Sequence, residues 1–542
     1  MPPPAVRRAK RHRPRGHYEL PPEQSPAAAP SPRVTASLLW LRTCLRLHDN
    51  PVLRAALAHE ACAPVYVFDP ADQEPLDLLV GIEPTGRPVR KVGAHRARFL
   101  LESLADLQAR LQTLGSGIVY RRGRPADVLP VLAKALLDDG AEAVTVYVDD
   151  QPGTEEQALF AGVREALEAL SQNTGRPCRL AVVWEKTIVH PDDLPISPDE
   201  CPRRFRDFWA ITFGRGAPVA KTEIVRAEVP TPERLPGLPR ALHTGRPPDP
   251  DAGTLPELAD LGYDDEEIAR STRRAYPGGE TAALERVRHY GFGTQQLTRY
   301  RYTRNRSLGA DYSSKWSAYL ALGCVSPRRL VREVWRYEAE VKKNDGTYWL
   351  VRELMWRDFY QVTALKYPRR MFWVSGKGGR HTDWRRDRET FGRWATGTTG
   401  VPFLDAHLRE LYRTGFMSNR GRVNASSWLS RDRGVRWTWG AAWFESLLLD
   451  YDVASNWLNW QSQATELRPT NPIWQGKKYD ARAEYVHHWI PALRALPGPM
   501  VHAWFGLSDE ELAARGLAPP EGYARPAEVA EEWAWAVGRV LG

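Results

Sequence analysis

The hydrophobic pattern of this chain changes period once, and that change fixes the layout of anything it can fold into. Up to residue 150, short apolar runs recur: SLLWL (37–41), APVYVF (63–68), GIVYRRG (117–123) and AVTVYVDD (143–150), each bounded by Gly, Asp or Pro. Such runs read as buried strands. Among them lies HRARFLLESLADLQARLQTLG, with Phe99, Leu100, Leu104, Leu107 and Leu111 at helical spacing and Gly115 as its stop. Strands alternating with helices predict a parallel, doubly wound sheet. No G-x-G-x-x-G follows the first strand, which excludes a standard dinucleotide site there. After Asp264 helical spacing takes over to the end of the chain. Residues 187–262, rich in Pro, Gly and charge (HPDDLPISPDECP, GLPRALHTGRPPDPDAG), read as a long connector over the surface.

The expected layout is therefore a leader (1–34), an α/β domain (35–186), a surface linker (187–262) and an all-α domain (263–542). The leader, MPPPAVRRAKRHRPRG followed by PPEQSPAAAPSP, is basic and Pro-rich and reads as disordered. It is either a plain basic tail or an organelle transit peptide, although it has few Ser and its prolines break any amphipathic helix. The location follows that choice: cytoplasm, or plastid or mitochondrion. The five cysteines are scattered with no CxxC pair, which fits a reducing intracellular compartment. No apolar run approaches the roughly 18–20 residues that span a bilayer. The formal charge of +9 suits an anionic partner such as nucleic acid, or simply an Arg-rich solvated surface.

The 21 tryptophans crowd into the helical half, beside Arg, Asn and Asp rather than among aliphatic residues. Four constellations concentrate the chemistry. In Tyr312-Ser-Ser-Lys-Trp-Ser317 the hydroxyls can cap a helix, or present themselves with Lys315 to a phosphate. On the segment 349–360, Trp349, Glu353, Trp356 and Tyr360 share one helix face. That pattern is either an amphipathic helix with a salt-bridged Glu353, or a cavity in which Glu353 bonds a ligand between indoles. The third constellation is Thr414-Gly-Phe-Met-Ser-Asn419-Arg-Gly-Arg422-Val-Asn424; the fourth is Asp450-Tyr-Asp452-Val-Ala-Ser-Asn456-Trp-Leu-Asn459-Trp460. Arg422 and Asp450 can pair across two helices, and the density of polar groups in an apolar region predicts a buried polar ligand.

Together these blocks resemble the photolyase/cryptochrome family over residues 37–528. The opening LLWLRTCLRLHDNPVL resembles that family's first strand and loop. Within the family, TRNRSLGADYSSKWSAYLALGCVSPR, YWLVRELMWRDFYQVTALKY, WATGTTGVPFLDAHLRELYRTGFMSNRGR and WEKTIVHPDDLP resemble the DASH cryptochromes. The resemblance implies FAD in the helical domain. It assigns the phosphates to Tyr300, Ser313, Ser314, Lys315, Ser317 and Arg357, and the flavin ring to Arg422, Asp450, Asp452 and Asn456, with Asn456 facing the ring's reactive nitrogen. It names an electron-transfer chain of Trp460, Trp437 and Trp384; for any one of these indoles alone, core packing is the simpler account.

The implied reaction is blue-light repair of cyclobutane pyrimidine dimers by an electron from reduced FAD. Single-stranded DNA is the expected substrate, because flipping a dimer out of a duplex costs pairing and stacking energy. The resemblance places Glu353, Trp356, Asn419 and Val423 against the dimer and implies a monomer. A signalling photoreceptor that binds FAD without repair is the alternative. The chain departs from the family pattern at four places: Val423, Ser462 in place of a stacking aromatic, a shorter loop after Ala464 (TELRPTNPIWQGKKYD), and Gln151 where members with a methenyltetrahydrofolate antenna carry Glu.

Overall fold

A five-stranded parallel sheet in the order β3-β2-β1-β4-β5 organises the N-terminal part of the computed structural model, which describes residues 34–242, 253–273, 276–379 and 381–542. The leader 1–33, with its transit-peptide and disorder readings, and the linker stretch 243–252 lie outside the described residues. The strands are β1 (Thr35–Trp40), β2 (Ala61–Phe68), β3 (Val119–Arg122), β4 (Ala143–Asp149) and β5 (Cys178–Val183). Leu38 of β1 pairs with Ala63 on one side and Val146 on the other. All strands run parallel, and the strand order reverses between β1 and β4, as in a doubly wound sheet. The core strands β1, β2 and β4 are buried along almost their whole length, so they read as unbroken apolar runs. At the edge, β5 buries only Cys178 fully and carries Arg179 outward, and its sequence gives no such run.

The helix Ala94–Thr113 buries Phe99, Leu104, Leu107 and Leu111. It ends where Gly115 takes φ +90°, a left-handed turn that other side chains resist. The segment 187–242 is punctuated by proline but is not bare connector. Its helix Phe205–Thr212 buries Phe205 and Phe208, and the amides of Ile188 and Val189 donate to the Asp358 carboxylate at 3.1 and 3.0 Å. From Asp264, whose side chain caps the helix Asp265–Ser271 in a capping box with Glu267, the chain is helical. No helix among the described residues is long and apolar enough to cross a membrane.

Buried ion pairs fasten the sheet to the helices. Arg46 pairs with Glu185. Asp49 accepts from Arg328 at 2.6 and 3.0 Å, and also from Ser326. Glu280 accepts from the Leu47 amide at 2.7 Å and meets His48 and Arg110 at 2.6 and 3.1 Å. Burial alone would raise these acids; Arg328 and Ser326 nevertheless hold Asp49 below the usual carboxylate range, and His48 and Arg110 do the same for Glu280. Their stabilisation is therefore complete above the unfolded carboxylate pKa of about 4 and drains away as the pH falls through the lower folded values. Asp49→Ala, which strands the Arg328 guanidinium inside the protein, should cost about 3–5 kcal/mol in denaturant unfolding at pH 7 and less at pH 3. An equal loss at both pH values would contradict this account.

Candidate functional site

Arg286 builds the first wall of the site. Its guanidinium donates to the carbonyls of Ser313 and Ser314, both at 2.9 Å, and to the Asp311 carboxylate at 2.6 Å, so the loop 310–315 is pinned from behind. The following helix, Ser317–Ala321, begins after Trp316 with no side-chain cap. The hydroxyls of Ser313, Ser314 and Ser317 bond nothing among the described residues, so capping does not explain them. Lys315 adopts φ +61°, an uncommon backbone state for a residue with a Cβ. Its ammonium lies 3.6 Å from the Tyr312 ring centre and 3.9 Å from that of Phe416. Burial lowers the Lys315 pKa to about 7, against the pull of Glu410. The buried Tyr312 hydroxyl and Trp316 indole N–H also lack partners. A buried cation, free hydroxyls and orphaned donors fit a phosphate-bearing ligand. Tyr300 is buried at the start of the helix Tyr300–Thr303, and the charged groups near its hydroxyl are Glu353 and Arg304 rather than Lys315.

Facing it is the polar set of the later helices. Arg422, on the helix Asn419–Ser427, donates to both oxygens of Asp450 at 2.8 Å; the expected pair forms, but Asp450 lies in the turn ahead of the helix Val453–Thr465 rather than on a second helix. Asp452 caps the helix Val453–Thr465 through the Ser455 amide at 2.8 Å. It also accepts from Gln361 at 2.8 and 2.9 Å, with the Lys186 ammonium 3.9 Å away. Burial opposes ionisation of Asp452, yet Lys186 and Arg357 keep its carboxyl below the ordinary range. Asn456 spends its amide N–H on the Ala441 carbonyl at 3.0 Å. Its Oδ1 accepts nothing among the described residues and is free for a donor nitrogen. Arg357 anchors the junction by donating to the carbonyls of Lys186 and Leu320. Lys186 and Gln361 were not evident as site residues in the sequence.

The helix Asp345–Lys366 carries the third wall. Glu353 is half-buried and ion-paired with Arg304, whose guanidinium also covers the Trp349 ring at 4.6 Å. Burial raises the Glu353 pKa and Arg304 restrains it. Trp356 is half-exposed, stacked on Phe205 at 3.9 Å and 14°. Asn419 is exposed and Val423 half-exposed on the neighbouring helix. Ser462 is buried beside the Tyr360 hydroxyl. In the loop after Ala464, the helix Pro472–Tyr479 places Gln475 on Arg420 at 3.0 Å.

The indoles fall into two groups. Trp384 and Trp437 donate their N–H groups to a single carbonyl, that of Val374, at 3.2 and 3.0 Å. Trp437 also packs edge-on against Trp457 at 6.0 Å. Trp460 is wedged against Trp394 at 5.8 Å and Phe444 at 5.0 Å. It reaches the helix Trp437–Leu447 at Gly440, where a Cβ would come within 2.2 Å of its ring. Trp457 and Trp394 carry no sequence signal, because ring contacts between distant segments leave none. Just past the C-terminal end of β4 Gln151 is buried, and its amide donates to Thr43 and, at 2.5 Å, to Asp149.

Comparison with known proteins agrees with this architecture. Residues 37–230 match the family described as DNA photolyase, and residues 349–534 the FAD binding domain of DNA photolyase. The chain is 40 % identical over 496 residues to a cryptochrome DASH of Gloeobacter violaceus, covering 90 % of this chain and 92 % of that one. It is 38 % identical over 503 residues to cryptochrome DASH of Xenopus laevis, covering 91 % and 90 %. The crystal structure of the Synechocystis cryptochrome superposes with a TM-score of 0.79 at 35 % identity, over 93 % of this chain and 99 % of that one. With an α/β domain, a helical FAD-binding domain and relatives of this similarity along nearly its whole length, the chain belongs to the photolyase/cryptochrome family, among the DASH cryptochromes.

Proposed function

We propose that this protein splits cyclobutane pyrimidine dimers under blue light, with FAD as its cofactor and single-stranded DNA as its preferred substrate. The observation that carries this reading is the helix Asp345–Lys366. It bears Glu353 and Trp356 on a half-open face, and Arg357, next to Trp356, and Gln361, one turn beyond Arg357, among the flavin-side groups. From Glu353 to Gln361 the axial rise is about 12 Å, so one rigid element sets the substrate pocket against the cofactor pocket. FAD, when bound, supplies a chromophore that absorbs blue light and an electron donor in its fully reduced form.

The chain's own residues do the rest. Ser313, Ser314, Ser317, Lys315, Tyr300 and Arg357 hold the phosphates. Arg422, Asp450, Asp452 and Asn456 orient the ring, Asn456 through its unpartnered Oδ1. Glu353, Trp356, Asn419 and Val423 line the dimer pocket, and the Arg304 guanidinium holds the Glu353 carboxylate in place. The reaction is redox-neutral: one electron enters the dimer, two carbon–carbon bonds break, and one electron returns. Phosphates of the flanking strand would meet the basic surface, so binding should weaken with salt. Gln151, whose amide N–H groups donate to Thr43 and Asp149, offers an antenna only a neutral acceptor where folate-binding members carry a carboxylate, which weighs against methenyltetrahydrofolate there.

A second reading, a blue-light receptor without repair, is favoured by Ser462, which supplies no ring where a base would stack. Losing one stacking ring weakens binding by about 1–3 kcal/mol per base. The test is to illuminate the fully reduced protein with dimer-containing oligothymidine, single- and double-stranded. Restored thymine absorbance, faster on the single strand, is expected. A protein that is yellow as purified but leaves both substrates intact once fully reduced would sink the repair reading and favour the receptor.

A further inference from the structure

Among the described residues, every hydrogen-bonded indole N–H goes to a neutral oxygen except one. Trp384 and Trp437 donate to the Val374 carbonyl, Trp394 to the Ala425 carbonyl and Trp184 to the Thr187 hydroxyl. Trp457 donates instead to a carboxylate, Oε2 of Glu445, at 3.2 Å, with the Tyr451 hydroxyl at 3.3 Å as its second acceptor. The same ring packs edge-on against Trp437, with centroids 6.0 Å apart. Trp457 and Glu445 are each only 4 % exposed. They face one another from the helices Val453–Thr465 and Trp437–Leu447.

Glu445 forms no ion pair among the described residues. The cations around it are engaged elsewhere: Lys91 pairs with Glu155, and the Arg96 guanidinium lies over the Tyr451 ring at 4.7 Å. Burial raises the Glu445 carboxyl to about 7; Lys91, Arg96 and the Tyr451 hydroxyl restrain it, and Glu155 adds to the rise. Glu156 is the remaining acid near Tyr451. An indole that has lost an electron becomes a strong acid at its nitrogen. A carboxylate that titrates near neutrality can take that proton, whereas the backbone carbonyls facing Trp384 and Trp437 cannot.

We propose that Glu445 is the proton acceptor for an oxidised Trp457, and that the two form a side branch of the tryptophan chain in which the electron vacancy is held as a neutral radical. The inference rests on the reading of Trp437 as an electron conductor. Once Trp437 has surrendered an electron toward the photoexcited, oxidised flavin, Trp457 refills it. Trp457 thereby loses one electron to Trp437 and its Nε1 proton to Oε2 of Glu445. Trp437 regains its closed shell, Glu445 becomes a carboxylic acid, and no external reactant is consumed. Return of the electron then requires return of the proton, which slows recombination.

The test is light-minus-dark infrared spectroscopy of the FAD-loaded protein, combined with the optical decay of the radicals. A unit above the Glu445 value of about 7, the wild type should gain a protonated-carboxyl C=O band as a deprotonated indolyl radical appears. Glu445→Gln, whose amide oxygen can still accept from Trp457, should lose the band and recombine about tenfold faster. A unit below that value the wild type should decay like the variant, and the variant should not change with pH. Trp457→Phe should also lose the band, and Tyr451→Phe, which spares the Trp457–Glu445 contact, should keep it. In the dark, a carboxyl band of the wild type should titrate away as the pH rises through about 7 and be missing from Glu445→Gln. A light-induced band that survives Glu445→Gln or Trp457→Phe, or that Tyr451→Phe abolishes, would overturn the assignment; so would equal decay of wild type and Glu445→Gln at the higher pH. Trp437→Phe separates the two ideas. Unslowed photoreduction in that variant would end the conducting role of Trp437 and this branch with it. Slowed photoreduction, with no carboxyl band in the wild type, would leave the conductor standing and remove Glu445 alone.

Discussion

Trp437→Phe should slow flavin photoreduction about tenfold or more, a barrier increase of at least about 1.4 kcal/mol, while the protein keeps its FAD. Indole is the most easily oxidised neutral side chain, and phenylalanine at the same position fills similar space without that property. Trp437 is fully buried, shares the Val374 carbonyl with Trp384, and touches Trp457. It is thus the buried member of the pair that meets at Val374, Trp384 being half-exposed. The substitution removes one hydrogen bond to Val374, a cost of about 1 kcal/mol that leaves the fold intact. Trp394 supplies the matched control. It is equally buried and 5.8 Å from Trp460, but its indole N–H is committed to the Ala425 carbonyl, away from the Val374 pair. Trp394→Phe should leave the rate within twofold, well under about 1 kcal/mol. Equal slowing by both substitutions would mean that general loosening of the core, not a route, governs the rate.

How much of this was legible in the sequence depended on whether a feature was local. The strands β1, β2 and β4 showed themselves because a parallel strand buried on both faces must be apolar throughout. The edge strand β5 did not, because CRLAVV is largely half-exposed and carries an arginine. The Trp349, Glu353, Trp356 face was visible as helix spacing. Its ion-pair partner Arg304 was not, since nothing in a local pattern links residues 49 positions apart. The serines at 313–317 read first as helix caps and only second as phosphate ligands. The structure removes the cap, because Trp316 occupies that position and the hydroxyls stay free. The supposed connector concealed the helix Phe205–Thr212, whose Phe205 supports Trp356, because flanking prolines hide so short an apolar insert. Family resemblance supplied roles for Asp452 and Asn456; only coordinates could add Lys186 and Gln361, which meet Asp452 from elsewhere in the chain.

Asp452 joins the fold to the site, and its replacement should be the most damaging single change. In Asp452→Ala the Ser455 amide loses its cap, which by itself costs about 1 kcal/mol. Gln361 loses both acceptor oxygens, and the Lys186 ammonium, almost fully buried, loses the only carboxylate within 4.0 Å among the described residues. Removing one partner from such a buried set costs about 3–5 kcal/mol. If Asp452 meets the flavin as we propose, the same change deletes that acceptor, and the variant should emerge from gel filtration colourless. Asp452→Asn divides these effects. Its amide oxygen can still accept from Ser455, so the cap should survive and part of the stability return. Lys186 still faces no negative charge, so flavin retention should stay impaired. The two readouts are denaturant unfolding and absorbance near the flavin band after filtration. An alanine variant that stays yellow and unfolds within about 0.5 kcal/mol of wild type, the range of an ordinary surface substitution, would remove Asp452 from both roles. An asparagine variant as unstable as the alanine one would show that the charge facing Lys186, rather than the helix cap, holds this corner of the protein together.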